Sequence, residues 1–188
     1  MSQEERRLEQ TLALHCAPAL AGLKPADLIS WRPPRGAGEA LLRRYARRFA
    51  RRGICLRPLC RRGERQLLLV WRPPRLEDWL AQEEIAAMLR KEGYPVSDGV
   101  EAMLTHLGAR LAGAEFPHEV GLFLGYPAAD VEGFRRNGGR NCKLCGHWKV
   151  YGQVEEARRR FLAFDRCREA LCRWVAEGRS LEQLFPAV

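Results

Sequence analysis

The sequence predicts one α+β domain over residues 1–188, with a small mixed or antiparallel sheet built around a central hairpin. Strand-like runs at residues 54–60 and 66–71 flank an Arg-Arg-Gly-Glu turn, which is typical of an antiparallel hairpin. Helical periodicity dominates elsewhere and ends in a long C-terminal helix over 154–177. No linker or low-complexity segment interrupts the chain, whose length suffices for one core.

The N-terminal part is predicted to contain a helix followed by a strand. Leu8 and Leu12 recur at helical spacing within residues 3–14, which favours an inner helical face. Pro18 is expected to break or restart this helix, because proline lacks the amide hydrogen that the helix needs. A short strand is predicted over 27–31, closed by two prolines.

A basic amphipathic helix is predicted over residues 36–52. Leu42, Tyr45 and Phe49 form one apolar stripe, and Gly53 fits the C-terminal cap. The opposite side carries two rows of arginines at i, i+4 spacing: Arg43, Arg47 and Arg51, and Arg44, Arg48 and Arg52. A solvated face is the preferred interpretation, since no aromatic residues interleave with the arginines to stack bases. Binding of nucleic acid or an acidic protein by residues 39–52 stays open as an alternative.

The remaining elements follow from periodicity and from turn residues. Glycine and proline end a helix at residues 93–95, and a Gly-Tyr-Pro turn ends a strand at 125–127. The predicted elements are a helix over 76–92, a helix over 99–112 capped by Ser97 or Asp98, a strand over 118–124, one or two helical turns over 130–136 and a strand over 148–151.

The composition favours a cytoplasmic protein. No apolar run approaches the roughly 18 residues that span a bilayer, so no membrane partner is expected. Residues 1–7 are polar and charged, which argues against a secretory signal. The seven cysteines lack the spacing of a disulfide scaffold, which indicates free thiols. The net charge of +9 is local, because residues 43–65 contain ten arginines and one glutamate.

Residues 137–151 concentrate the side chains that carry chemistry. A C-x-x-C pair lies beside an imidazole, and thiolates and imidazoles are both common ligands of metals in proteins. A tetrahedral metal would need further ligands from elsewhere, because no second C-x-x-C is present. The candidate ligands for iron or zinc are His15, Cys16, Cys142, Cys145 and His147.

Two other interpretations of these cysteines stay open. Cys145 or Cys16 can serve as a nucleophile or a redox thiol. An imidazole such as His15 can lower the pKa of an adjacent thiol, although adjacent residues at a helix end point in different directions. Alternatively, the cysteines are ordinary buried side chains. Asp130 is a candidate acid or base if it faces the same cleft.

An anion-binding function is suggested by cations close to a glycine pair. Gly138 and Gly139 allow backbone amides to turn inward, and such a nest can hold a phosphate or carboxylate. A plain turn is the alternative. The candidate ligand-binding residues are Lys24, Arg140, Asn141, Lys149 and Tyr151.

Three segments together resemble an uncharacterised bacterial family, known as a domain of unknown function and common in anaerobes. They are His-Cys-Ala-Pro at 15–18 continuing to Lys-Pro-Ala at 24–26, Phe-Leu-Gly-Tyr-Pro at 123–127 continuing through Asp-Val-Glu-Gly-Phe at 130–134, and Cys-Gly with Trp-Lys-Val-Tyr at 145–151. The resemblance covers nearly the whole chain and implies a shared fold and site, without an established activity or cofactor. The position of Cys142 is often aromatic in that family, which makes Cys145 the better candidate for a shared role.

We therefore expect one site built from these three segments. Cys145, Cys16 and His15 would supply soft ligands or a reactive thiol, and Lys24, Arg140 and Lys149 would orient an anionic partner. The function expected first is binding of iron, another redox cofactor or a small anionic ligand. The alternatives are the arginine-helix binding module and a thiol-dependent enzyme.

Overall fold

The structure, a computed structural model, describes residues 1–187 and confirms the α+β class. The strands are β1 (Ala26–Trp31), β2 (Cys55–Arg62), β3 (Arg65–Trp71), β4 (Leu144–Cys145) and β5 (Lys149–Val150). The helices are α1 (Gln3–Leu20), α2 (Gly38–Ala50), α3 (Pro73–Leu80), α4 (Glu83–Lys91), α5 (Val100–Ala112), α6 (Val120–Phe123), α7 (Ala128–Asn137), α8 (Val154–Ala176) and α9 (Leu181–Leu184), with a 3-10 turn at Val96–Asp98. No helix within residues 1–187 is long and apolar enough to cross a membrane.

The main sheet is antiparallel, in the order β1-β3-β2. The predicted hairpin of β2 and β3 is confirmed, and β1 pairs with the free edge of β3. Successive side chains of a strand point to opposite sides of the sheet, and both faces of β3 are buried. Leu68 and Val70 pack towards α1, α2 and the end of α8, whereas Leu69 and Trp71 pack towards α3–α7. This explains the unbroken apolar run of the strand.

Helix α1 is longer than predicted. The sequence predicts a break at Pro18, but the helix continues to Leu20 with this proline in its last turn. Next to the proline, the backbone bonds to a group outside the helix: the Ala19 N–H donates to Asp27 Oδ2 at 3.1 Å. The carbonyl of Pro18 accepts from the N–H of Lys24 at 3.2 Å. The end of α1 is therefore stabilised by β1 and the loop before it.

Glu9 ties α1 to two distant parts of the chain. Its carboxylate accepts a hydrogen bond from the Tyr45 hydroxyl at 2.9 Å and another from the Leu181 N–H at 3.1 Å. Burial raises the pKa of Glu9, and these two donors partly oppose that shift. Glu9 thus joins α1, α2 and α9 in one buried polar contact.

Several predicted elements are wrong in type or extent. The segment predicted as a strand over 118–124 instead contains the short helix α6. The sequence does not distinguish the two, since an apolar run of this length fits a buried helix as well as a strand. The helix predicted over 76–92 is two helices, separated where Gln82 adopts an extended conformation. Ser97 and Asp98 do not cap α5, which begins after Gly99. The strand predicted over 148–151 shortens to β5 and pairs with β4, which was not predicted.

Candidate functional site

The segment 142–151 folds into a small antiparallel hairpin, called here the Cys145 hairpin. Leu144 pairs with Val150, and Cys145 pairs with Lys149. The Gly146 N–H donates to the Trp148 carbonyl at 3.1 Å, which closes the turn. The hairpin packs on the first half of α8 through a third apolar cluster: Trp148, Val150, Ala157, Phe161 and Phe164.

Asp130 holds this hairpin against the first turn of α7. Its Oδ2 accepts from Trp148 Nε1 at 2.7 Å, and its Oδ1 accepts from the N–H groups of Tyr151 at 2.7 Å and Gly152 at 2.8 Å. The residue is only 4% exposed. Both oxygens of this candidate acid or base are therefore engaged by protein donors, and the contacts are those of a residue that positions the hairpin.

Aromatic rings fix the orientation of Trp148. Its ring stacks on Tyr126 at 5.1 Å between centroids and meets Phe161 edge-on at 4.5 Å. A Cβ atom on Gly146 would lie 2.2 Å from the Phe161 ring, so the hairpin approaches α8 more closely than an alanine allows. The turn of the hairpin is thus packed rigidly between α6–α7 and α8.

A cleft of about 330 Å³ lies between the hairpin and the α6–α7 region. We call it the Cys145 cleft. Its walls are mainly aromatic and apolar, and its few polar groups include a thiol, an amine and an imidazole. Its lining includes Phe116, His118, Tyr126, Phe134, Cys145 and Lys149.

The polar groups of the Cys145 cleft are accessible to a ligand. Cys145 is an exposed free thiol, and His118 is exposed with its ring 5.0 Å from that of Phe134. The Lys149 ammonium donates to the Gly139 carbonyl at 2.5 Å and lies 5.9 Å from the centroid of the Phe134 ring. Since an ammonium carries three donors, one bond to a carbonyl leaves Lys149 able to contact an anion.

The five predicted metal ligands are not brought together. Cys16 is fully buried, and this burial raises the pKa of its thiol well above the ordinary value. His15 is exposed, because adjacent helical residues point in different directions. His147 contacts Asp165, with 3.1 Å between Nε2 and Oδ1, and packs on two phenylalanines. Within residues 1–187 no three His, Cys, Asp or Glu side chains form a group that could hold a metal ion.

Lys24 is paired inside the protein and does not line the Cys145 cleft. Its ammonium lies 2.5 Å from Asp27 Oδ1, and both residues are buried. Burial raises the pKa of Asp27, whereas the Lys24 charge acts in the opposite direction. The ammonium also lies 5.4 Å from the Tyr126 ring centroid. The predicted anion ligand Lys24 is thus committed to an internal ion pair behind the cleft.

The predicted glycine nest is the C-terminal cap of α7. Gly138 adopts the left-handed conformation, with φ of 55°, and the Gly139 N–H donates back to the Phe134 carbonyl at 3.0 Å. Arg140 and Asn141 are exposed and lie outside the lining of the Cys145 cleft. The Tyr151 hydroxyl donates to the Arg140 carbonyl at 2.9 Å. Of the five predicted ligand-binding residues, only Lys149 lines the cleft.

The two arginine rows of α2 have different environments. The inner row makes ion pairs with Glu5 and Glu182: Arg44 at 2.6 Å, Arg48 at 3.1 Å and Arg52 at 3.4 Å. The outer row, Arg43, Arg47 and Arg51, is exposed. The inner row therefore joins α2 to α1 and α9, whereas the outer row is open to solvent.

Two triple substitutions should separate these roles. Replacing Arg44, Arg48 and Arg52 by alanine should lower the free energy of unfolding by about 1–2 kcal/mol, a modest loss because these pairs are partly exposed. Replacing the outer row should change it by less than about 0.5 kcal/mol. Urea denaturation measures both variants, and equal losses would contradict the assignment. If α2 binds nucleic acid, only the outer-row variant should lose salt-dependent retention on DNA.

Sequence reasoning missed Phe116, His118 and Phe134 as cleft residues. The sequence predicts a strand that begins at His118 and assigns Phe116 to no element, whereas both residues lie in the irregular segment before α6. Phe134 lies on α7 within a recognised motif, but only the position of the Cys145 hairpin shows which surface it faces. These residues become visible as a site only when the tertiary structure joins the three segments.

The chain is a member of the family described as "Protein of unknown function (DUF3793)", whose profile matches residues 12–185. The match includes the Cys145 hairpin, Asp130 and the buried Lys24–Asp27 pair. Comparison with curated proteins and with solved structures finds no match.

Proposed function

We propose that the protein binds a small organic anion in the Cys145 cleft, with an apolar or aromatic body and one carboxylate or similar group. The observation that carries this proposal is the lining of the cleft, which combines four aromatic side chains, Phe116, Tyr126, Phe134 and Trp148, with a single lysine. A volume of about 330 Å³ is at the lower end of small-molecule pockets. Concave, mainly apolar sites with a few convergent polar groups are typical of ligand-binding sites.

Each part of the cleft has a distinct task in this proposal. Phe116 and Phe134 contact the apolar body of the ligand, and the Lys149 ammonium pairs with its anionic group. The His118 imidazole, which also lines the cleft, donates a second hydrogen bond to the ligand. Asp130 keeps the hairpin, and therefore Lys149, in position through its bonds to Trp148, Tyr151 and Gly152.

The proposal is tested with 1-anilinonaphthalene-8-sulfonate, a fluorescent apolar anion. We expect saturable binding at one site per chain. Lys149→Met should weaken this binding about tenfold, because it removes the cation and keeps the apolar stem. Lys143→Met is the matched control, since Lys143 is an exposed lysine of the same hairpin outside the cleft lining. Equal affinities of the two variants, or binding without a defined stoichiometry, would contradict the proposal.

A second candidate function uses the thiol of Cys145. Cys145 and His118 line the same cleft, so a bound substrate or a redox cofactor such as an iron complex would meet both groups. If Cys145 is a reactive thiol, Cys145→Ser should abolish rapid alkylation by iodoacetamide near neutral pH. If it binds an iron cofactor, the same substitution should abolish the iron content of anaerobically purified protein. Cys142→Ser should do neither. Slow labelling of Cys145 together with metal-free protein after reconstitution would exclude this candidate.

A further inference from the structure

Arg160 is a partly buried cation enclosed by aromatic rings. It lies on α8, and its guanidinium carbon is 4.8 Å from the centroid of the Trp148 ring and 6.0 Å from that of Trp79. Its Nη2 donates to the Gly125 carbonyl at 2.7 Å. Cation–π contacts of this kind orient a guanidinium without using its N–H groups. The aromatic enclosure therefore leaves the donor edge of Arg160 available.

The charge of Arg160 has no carboxylate partner within 4.0 Å in the part of the chain that the structure describes. Burial lowers the pKa of its guanidinium, and the charges of Glu156 and Asp130 partly oppose that shift. Arginine nevertheless stays charged in proteins. A guanidinium presents a fork of N–H donors, and a single backbone carbonyl occupies only part of it. Arg160 is thus a preformed partner for a carboxylate.

A cavity of about 420 Å³ gives access to Arg160. It shares Trp148 and Asp130 with the Cys145 cleft, and its other lining residues come from α3, α4, the start of α7 and the start of α8. Trp79 and Ile85 provide an apolar wall. We call this space the Arg160 cavity.

Two glutamates also line the Arg160 cavity. Glu156 lies one helical turn before Arg160 on α8, and Glu84 lies near the start of α4. Both are exposed, so their carboxylates are available to a ligand. Asp130 is the third acidic residue, but its oxygens are engaged by the hairpin. A simple anion would meet attraction from Arg160 and repulsion from both glutamates, whereas a ligand with one charge of each sign matches the whole cavity.

We propose that the Arg160 cavity binds a free α-amino acid. The carboxylate of the amino acid pairs with the fork of Arg160, and its ammonium faces Glu156 and Glu84. An apolar side chain packs on Trp79 and Ile85. The cavity volume suits a molecule of this size, and the enclosed arginine distinguishes the site from an ordinary surface cluster of charges. This proposal does not rest on the Cys145 cleft, because the charged residues that carry it do not line that cleft.

The test is isothermal titration of the full chain with each of the twenty standard amino acids. At least one with an apolar side chain should bind saturably below ~10 mM, in the range of weak single-site affinities. For phenylalanine, the analogues 3-phenylpropionate and phenethylamine each lack one of the two charges. If phenylalanine binds, each analogue should bind about tenfold more weakly. Saturable binding of none of the twenty would overturn the proposal.

Variants locate the site. Arg160→Lys keeps the charge but loses the fork, and should weaken binding of the amino acid about tenfold. Glu156→Gln should weaken it about threefold or more, because it removes an ammonium partner. The matched control is Arg159→Lys, an exposed arginine of the same helix outside the cavity. Unchanged affinity in Arg160→Lys would overturn the proposal. Binding of 1-anilinonaphthalene-8-sulfonate should be unchanged in Arg160→Lys, which keeps the two sites distinguishable.

Discussion

Asp130→Ala should lower the free energy of unfolding by about 3–5 kcal/mol, because one buried carboxylate serves three N–H donors. Its removal leaves the buried Trp148 indole N–H and two half-buried backbone amides without an acceptor. Asp130→Asn keeps one acceptor oxygen and should lose about half as much. Urea denaturation followed by circular dichroism measures both losses.

Hydrogen exchange distinguishes a local loss of the Asp130 contacts from a general loss of stability. Hydrogen exchange of the Tyr151 and Gly152 amides should accelerate in Asp130→Asn more than exchange in the β2–β3 hairpin does. Glu132→Gln is the matched control, since Glu132 lies on the same helix and makes an exposed ion pair with Arg136. It should change stability by less than about 0.5 kcal/mol. A loss of similar size in Glu132→Gln would show that the effect does not come from the Asp130 contacts.

Gly125→Ala should lower the free energy of unfolding by about 2–4 kcal/mol, for two additive reasons. The φ angle of Gly125 is +78°, a left-handed conformation that strains an alanine. The added Cβ would also lie 2.5 Å from Cδ of Pro25, a rigid ring that cannot turn away. The substitution should displace the turn before α7, and thermal and urea denaturation measure its cost.

Gly178→Ala controls for the backbone conformation alone. Its φ angle is +91°, but no atom lies within 4 Å of the Cβ that would be added. We expect a loss of about 1–2 kcal/mol there, from strain without a clash. If the two substitutions cost the same, close packing between Gly125 and Pro25 does not contribute to stability.

The parts of the fold that the sequence predicts well are those with local signals. The β2–β3 hairpin follows from two apolar runs around a turn, and the apolar stripe of α2 from its period. The strand predicted over 118–124 was wrong, because the short apolar run over 120–124 carries no period that separates helix from strand. The type of that element is decided by burial on all sides, which is a tertiary property.

The site was only partly predictable for a similar reason. The sequence marks Cys145, Lys149 and Asp130 as chemically notable, and all three line the Cys145 cleft. It cannot show that Lys24 is neutralised by Asp27, since that depends on both being buried together. The Arg160 cavity is equally invisible, because its aromatic enclosure comes from residues that are far apart in the chain.

The hydrogen bond between Glu9 and the Leu181 N–H has a consequence for the order of events during biosynthesis. The chain is synthesised from its N-terminus, so α1 leaves the ribosome long before residue 181 is added. Until then, the carboxylate of Glu9 has Tyr45 as a partner but lacks its second donor, and α1 lacks the α8 surface on which it packs. Native packing of the first helix must therefore wait until α8 and residue 181 have been synthesised, and shorter nascent chains should remain sensitive to protease.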